Sequence, residues 1–113
     1  MTRHVFIVLT NAVEGRDDEF NDWYTNQHLD DVLKVEGFTA AQRFRFRPRA
    51  GGRDCDYRYM ALYEVETDDL EAAQKRLAAV AGSEAMPWSP AFDRSDVIGW
   101  YYEPISDRRQ SAA

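Results

Sequence analysis

Apolar positions along this chain change period several times, and each change marks an element. Residues 4–10 set Val5, Phe6, Ile7 and Val8 side by side. A run apolar on both faces predicts a central strand. Residues 11–15 then form a turn. A helix is predicted from Asp17 or Asp18, whose carboxylates in the first turn complement its dipole. Phe20, Trp23, Tyr24 and Val32 recur on one face of it, with His28 between them. Gly37 breaks the helix. Residues 38–47 alternate, which predicts a strand with Phe38, Ala40, Gln42, Phe44 and Phe46 on one face and Arg43, Arg45 and Arg47 on the other.

Residues 48–56 (PRAGGRDCD) read as a loop. Residues 57–65 predict a third strand with Tyr57, Tyr59, Ala61, Tyr63 and Val65 on one face, and Met60 and Leu62 on the other. Thr67 is the expected N-cap of a second helix that passes through Leu77 and Val80 and ends at Gly82. Residues 86–92 (MPWSPAF) form an aromatic loop, and residues 96–103 a last strand. The order β-α-β-β-α-β predicts an α+β, ferredoxin-like domain: a four-stranded antiparallel sheet with two helices on one face. Three strands are apolar on both sides, so the second sheet face needs a cover, and a second copy of the chain is the simplest one.

Length and composition narrow the class. The 113 residues suit one domain, expected over 1–105, with 106–113 as a flexible tail. A formal net charge of −6 argues against a nucleic-acid partner, which calls for a basic face. The arginines at 43, 45, 47, 49, 53 and 58 form a basic stripe, read first as a solvated strand and loop and otherwise as an anion or partner site. Cys55 is the only cysteine, so no intrachain disulfide can form and a reducing cytoplasm is expected. Asp54 and Asp56 beside it disfavour a thiolate. The apolar run at residues 5–9 is far too short to span a membrane, and no leader-like segment is visible.

The candidate chemistry gathers around His28. Phe20, Tyr24 and His28 follow i, i+4, i+8 spacing, with Trp23 alongside, so the imidazole should face the sheet. A group titrating near neutrality can take or give a proton. Three roles fit it: a hydrogen-bonded residue fixing the helix end, a catalytic acid/base, or a metal or haem ligand. Asp31 lies i+3 from His28 and could orient it, or Asp30 could simply cap a short turn. Asn11 either forms the turn or binds substrate. Gln42, an amide on an apolar face, needs a partner, either a substrate or a neighbouring side chain. Trp88, in a loop stiffened by Pro87 and Pro90, is the lid candidate. With Trp23 and Phe44 it could enclose a flat or apolar ligand. No second histidine stands at metal spacing, and no zinc, Walker or nucleophile-elbow motif is present, so no built-in cofactor is expected.

The string GRDDEFNDWYTNQHLDDVLKVEGFTAAQRF resembles the EthD-like members of the dimeric α+β barrel superfamily. The shared pattern is an N-x-x-x-G turn, E-F-N-x-W-Y, a histidine four residues on, D-V-L-x-V-P-G-F and a strand opening A-Q-R-F. It covers about a third of the chain. Prolines common after the histidine and before the glycine are Asp30 and Glu36 here. The resemblance implies a homodimer of two sheets, a pocket between each sheet and its own helices, and a kink after His28. It admits cofactor-free isomerases, cyclases, dehydratases and monooxygenases, haem-using enzymes, and binding proteins without activity. Three functions are therefore expected to compete. The first is a cofactor-free enzyme using His28 for proton transfer on an aromatic or enolisable carbonyl compound. The others are a monooxygenase of a phenol or quinol, and a non-catalytic binder.

Overall fold

The computed structural model describes residues 1–112. Strand β1 (Thr2–Thr10) lies between β3 (Tyr59–Thr67) and β4 (Ile98–Tyr102), with β2 (Phe38–Arg45) outside β3, and every pairing is antiparallel. This is the expected ferredoxin-like sheet. The first crossover holds α1 (Asp17–Trp23), a π turn (Tyr24–His28) and α2 (Leu29–Leu33), and the second holds α3 (Leu70–Val80). Residues 106–112 have no regular structure and are exposed, and the last residue of the expected tail lies outside the described residues. Among the described residues no helix is long and apolar enough to cross a membrane.

Paired residues of an antiparallel ladder share a face. Val65, Tyr63, Ala61 and Tyr59 of β3 therefore lie on the same face as His4, Phe6, Val8 and Thr10 of β1, and as Gly99 and Tyr101 of β4. This face packs under the crossovers, with Phe20, Tyr24, Val32 and Ala73. The opposite face presents Val5, Ile7, Leu9, Met60 and Leu62 beside Trp100 and Tyr102.

Two insertions set the side-chain directions. In β2, Phe38 pairs with Val65 but Ala40 pairs with Glu64, which leaves Thr39 as the extra residue of a β-bulge. One extra residue exchanges the two faces of a strand from that point on. The expected phase of β2 is thereby corrected. Ala41, Arg43 and Arg45 join the helix face with Tyr63, Ala61 and Tyr59, whereas Gln42 and Phe44 join the outer face with Leu62 and Met60. The expected kink after His28 is likewise a π turn that ends at His28, closed by the Leu29 N–H donating to the Tyr24 carbonyl five residues back. Twelve residues of regular α-helix would carry Val32 about 120° away from Phe20, and absorbing one residue returns it to within about 20°. Both side chains are accordingly buried.

Helix α3 is capped by Asp69, not Thr67. The Asp69 carboxylate accepts the Ala72 N–H at 3.0 Å, while Thr67 Oγ1 accepts the Asp69 N–H at 3.0 Å and sets the turn before it. Gly82 follows the helix with φ +81°, and its N–H donates to the Met86 carbonyl at 2.9 Å. That bond folds the aromatic loop back over the helix end.

Candidate functional site

A cavity of about 430 Å³ lies between the helix face of the sheet and the crossovers. Phe6, Tyr63 and Tyr101 come from the sheet, Tyr24 and His28 from the π turn, Leu77 from α3, and Trp88 from the aromatic loop. Its size is that of sites taking small organic ligands. The wall is apolar apart from a few groups, and those groups carry the chemistry.

His28 is buried, and its ring stacks on Trp23 at 4.7 Å and meets Tyr24 edge-on at 4.8 Å. Trp23 and His28 stand five residues apart, a separation the π turn brings onto one face. Burial pushes the imidazole pKa down to about 4; nearby Asp31 pulls it up and the Arg43 cation lowers it further. The ring is therefore neutral at neutral pH. Its Nδ1 is enclosed without a hydrogen-bond partner among the described residues. Nε2 makes no hydrogen bond among the described residues and is not enclosed, and His28 lines the cavity. A neutral imidazole can accept a proton or ligate, but it has no acidic proton to give.

Arg43 reaches from β2 under the π turn. Its guanidinium lies 4.6 Å from the Tyr24 ring centroid and 5.4 Å from those of Phe20 and Tyr59. Its nitrogens donate to Thr25 Oγ1 at 3.0 Å and Asn21 Oδ1 at 2.9 Å. Burial lowers its pKa, opposed by Tyr24 and the neighbouring tyrosines. Planar stacking and fixed donors suit arginine and not lysine here. The Tyr24 and Tyr63 hydroxyls lie 3.0 Å apart, and both residues line the cavity. Burial raises both phenol pKa values, Tyr24 to about 12, so both stay protonated.

Of the residues singled out from the sequence, Tyr24, His28 and Trp88 line this cavity. Phe20 and Trp23 lie behind it in the core, Phe20 packing on Tyr24 at 5.6 Å. Asp31 sits nearly buried behind His28, with Oδ2 unpartnered among the described residues. Asn11 is elsewhere: its Nδ2 donates to the Asp56 carbonyl at 2.7 Å and its Oδ1 accepts the Arg58 N–H at 2.9 Å, clasping the 48–56 loop to the end of β1. Gln42 and Phe44 are on the outer face. Trp88 is held in place: a Cβ on Gly82 would stand 2.6 Å from its Nε1, so the indole packs over bare glycine backbone. Tyr63, Phe6 and Tyr101 escaped the sequence reading as site residues. Tyr63 had one usable signal, since it shares a strand face with the buried Val65 and Ala61.

No protein-family model and no curated protein matches the sequence. Solved structures do. An EthD-like protein from Ralstonia eutropha matches with a TM-score of 0.67 at 11% identity, covering 96% of each chain. A DABB family protein from Mesorhizobium loti gives 0.64 at 13%, covering 94% of this chain and all of its own. The haem degrader MhuD from Mycobacterium tuberculosis, with two haems bound in its active site, gives 0.60 at 19%, covering 94% of this chain and 99% of its own. At these identities the likeness establishes architecture, and the chain has the ferredoxin-like fold that these EthD-like and DABB proteins share.

Proposed function

We propose that this protein is an enzyme working without a cofactor on a compact, largely apolar carbonyl compound, aromatic or enolisable. In this reading His28 acts as a general base. The carrying observation is a buried, neutral imidazole on the wall of a largely apolar cavity. The base role calls for the tautomer with the proton on Nδ1, which leaves the Nε2 lone pair for substrate. A proton leaves carbon for Nε2 and returns to a different atom, in an isomerase, cyclase, dehydratase or lyase step. Trp88 and Trp23 shield the ring from bulk water. A homodimer completes this reading: Phe44, Trp100 and Tyr102 on the outer face are 40–52% exposed beside Ile7, Leu9 and Leu62, and a second sheet would cover them.

The test is carbon-bound hydrogen exchange. Enolisable aryl ketones such as 2-tetralone are incubated with the protein in D2O and followed by NMR. Wild type should accelerate exchange, and His28→Ala should lower the rate by roughly 100-fold or more. A folded His28→Ala protein that exchanges as fast as wild type removes the base role. Saturable ketone binding with no exchange by wild type assigns the fold to a binding protein instead.

A further inference from the structure

The Tyr24–Tyr63 pair contains more protons than its geometry uses. Two hydroxyls bring two O–H donors, and the single contact at 3.0 Å occupies one. Neither oxygen has another hydrogen-bond partner among the described residues. The side chains are 2% and 1% exposed, so bulk water does not take up the second proton. A buried donor left unmade is costly, and it persists where an acceptor is supplied from outside the protein. Both tyrosines line the cavity, as His28 does.

We propose that the Tyr24–Tyr63 hydroxyl pair is a hydrogen-bond donor to one ligand oxygen, and that the ligand is an apolar molecule carrying a carbonyl or enolate oxygen where the pair points. The donation is reinforced, because the hydroxyl that gives its proton to the ligand accepts one from its neighbour. The Arg43 guanidinium on the Tyr24 ring adds positive potential behind it. The burial that keeps both phenols protonated keeps them donors. Combined with the base role of His28, on which this part rests, the balance is simple. A Cα–H bond breaks and its proton goes to Nε2. The electron pair forms the C=C bond, and the carbonyl π pair moves onto oxygen, where the tyrosine donor meets the new charge. Such a donor pair is a preorganised site for an oxyanion.

The test uses two molecules of one shape. Acetophenone and α-methylstyrene differ in carrying an oxygen or a CH2 at the same place. By protein-observed NMR titration, wild type should prefer acetophenone by about 10-fold, the worth of one neutral hydrogen bond. The bound carbonyl stretch of 13C-labelled acetophenone should fall relative to that in hydrocarbon solvent. In Tyr24→Phe/Tyr63→Phe both effects should vanish. Removing both partners of a buried hydrogen bond while keeping the rings leaves the core packed, and circular dichroism checks that it does. Equal binding of the two probes by wild type overturns the proposal. So does a preference that survives in the double variant, or binding of neither probe. His28→Ala separates the two readings: it should retain the preference for the ketone even where hydrogen exchange is lost or was never present.

Discussion

On the helix face of the sheet, Tyr59 donates to Asp17 at 2.6 Å, accepts from Asn21 at 3.2 Å, and Tyr63 meets Tyr24. On the outer face, Phe44, Trp100 and Tyr102 stand half-exposed, with no hydrogen bond from either polar ring among the described residues. Both faces are rich in aromatics, so aromatic content does not tell the site from the rest. Unmet polar capacity does. Among the described residues, the buried polar atoms without partners include those of Trp23, His28, Asp31 and Arg43 around the first crossover, with His4 Nδ1 on β1 apart from them. The sheet is packed and polar-strained on one side, apolar and half-exposed on the other, and under the proposed function chemistry and association would take opposite faces.

Substitutions across the two faces test that separation. Phe20→Ala, at a fully buried ring, should lower unfolding free energy by about 3–5 kcal/mol in urea melts. Phe44→Ala in the monomer should cost less than about 1 kcal/mol, and a large loss there breaks the comparison. Trp100→Glu should raise the dissociation constant of the proposed homodimer roughly 100- to 1,000-fold by analytical ultracentrifugation while leaving cavity binding intact.

Acid should act on the helix face. With a folded pKa of about 4 against an ordinary 6.5, the neutral His28 contributes stability that is present above pH 6.5 and lost as pH falls towards 4. Wild type should therefore lose about 2–3 kcal/mol relative to His28→Gln between pH 7 and pH 4. Identical pH profiles for the two proteins rule this out. Gly82→Ala forces a Cβ into the Trp88 indole at a positive φ, and should cost about 1–2 kcal/mol together with a weaker ketone affinity. The smallest effect belongs to Gln42→Ala: stability within about 0.5 kcal/mol and unchanged ligand binding. A large effect on binding would put the amide back in the site.

The sequence carried the element order because each change of apolar period is local. It also carried the face of β3, where Tyr63 and Val65 alternate with polar neighbours. It failed on β2 for a physical reason. Phe44 and Phe46 suit an apolar outer face as well as they suit a core, so periodicity cannot say which side the helices cover. Thr39, the bulged residue, is neither glycine nor proline and gives no punctuation. Arg43 misled in the same way: a half-buried guanidinium set against three rings looks, in sequence, like one more charge in a solvated stripe. The π turn was invisible because Phe20, Tyr24 and His28 keep a regular spacing of four. The Leu29–Tyr24 backbone bond and the Trp23–His28 stack, each spanning five residues, reveal the wider turn.

That wider turn changes what an exposed residue is worth. Gln27 lies at the surface within it, with no side-chain hydrogen bond. Nearly any side chain should serve there. Its deletion should be tolerated as well: the helix would close into a regular α-helix with eleven steps from Phe20 to Val32, which again end within about 20° of one face. Val32 would keep its place in the core. The position should tolerate a wide range of substitutions and even its own loss, because its contribution is one step of backbone contour that the π turn takes up without turning the helix.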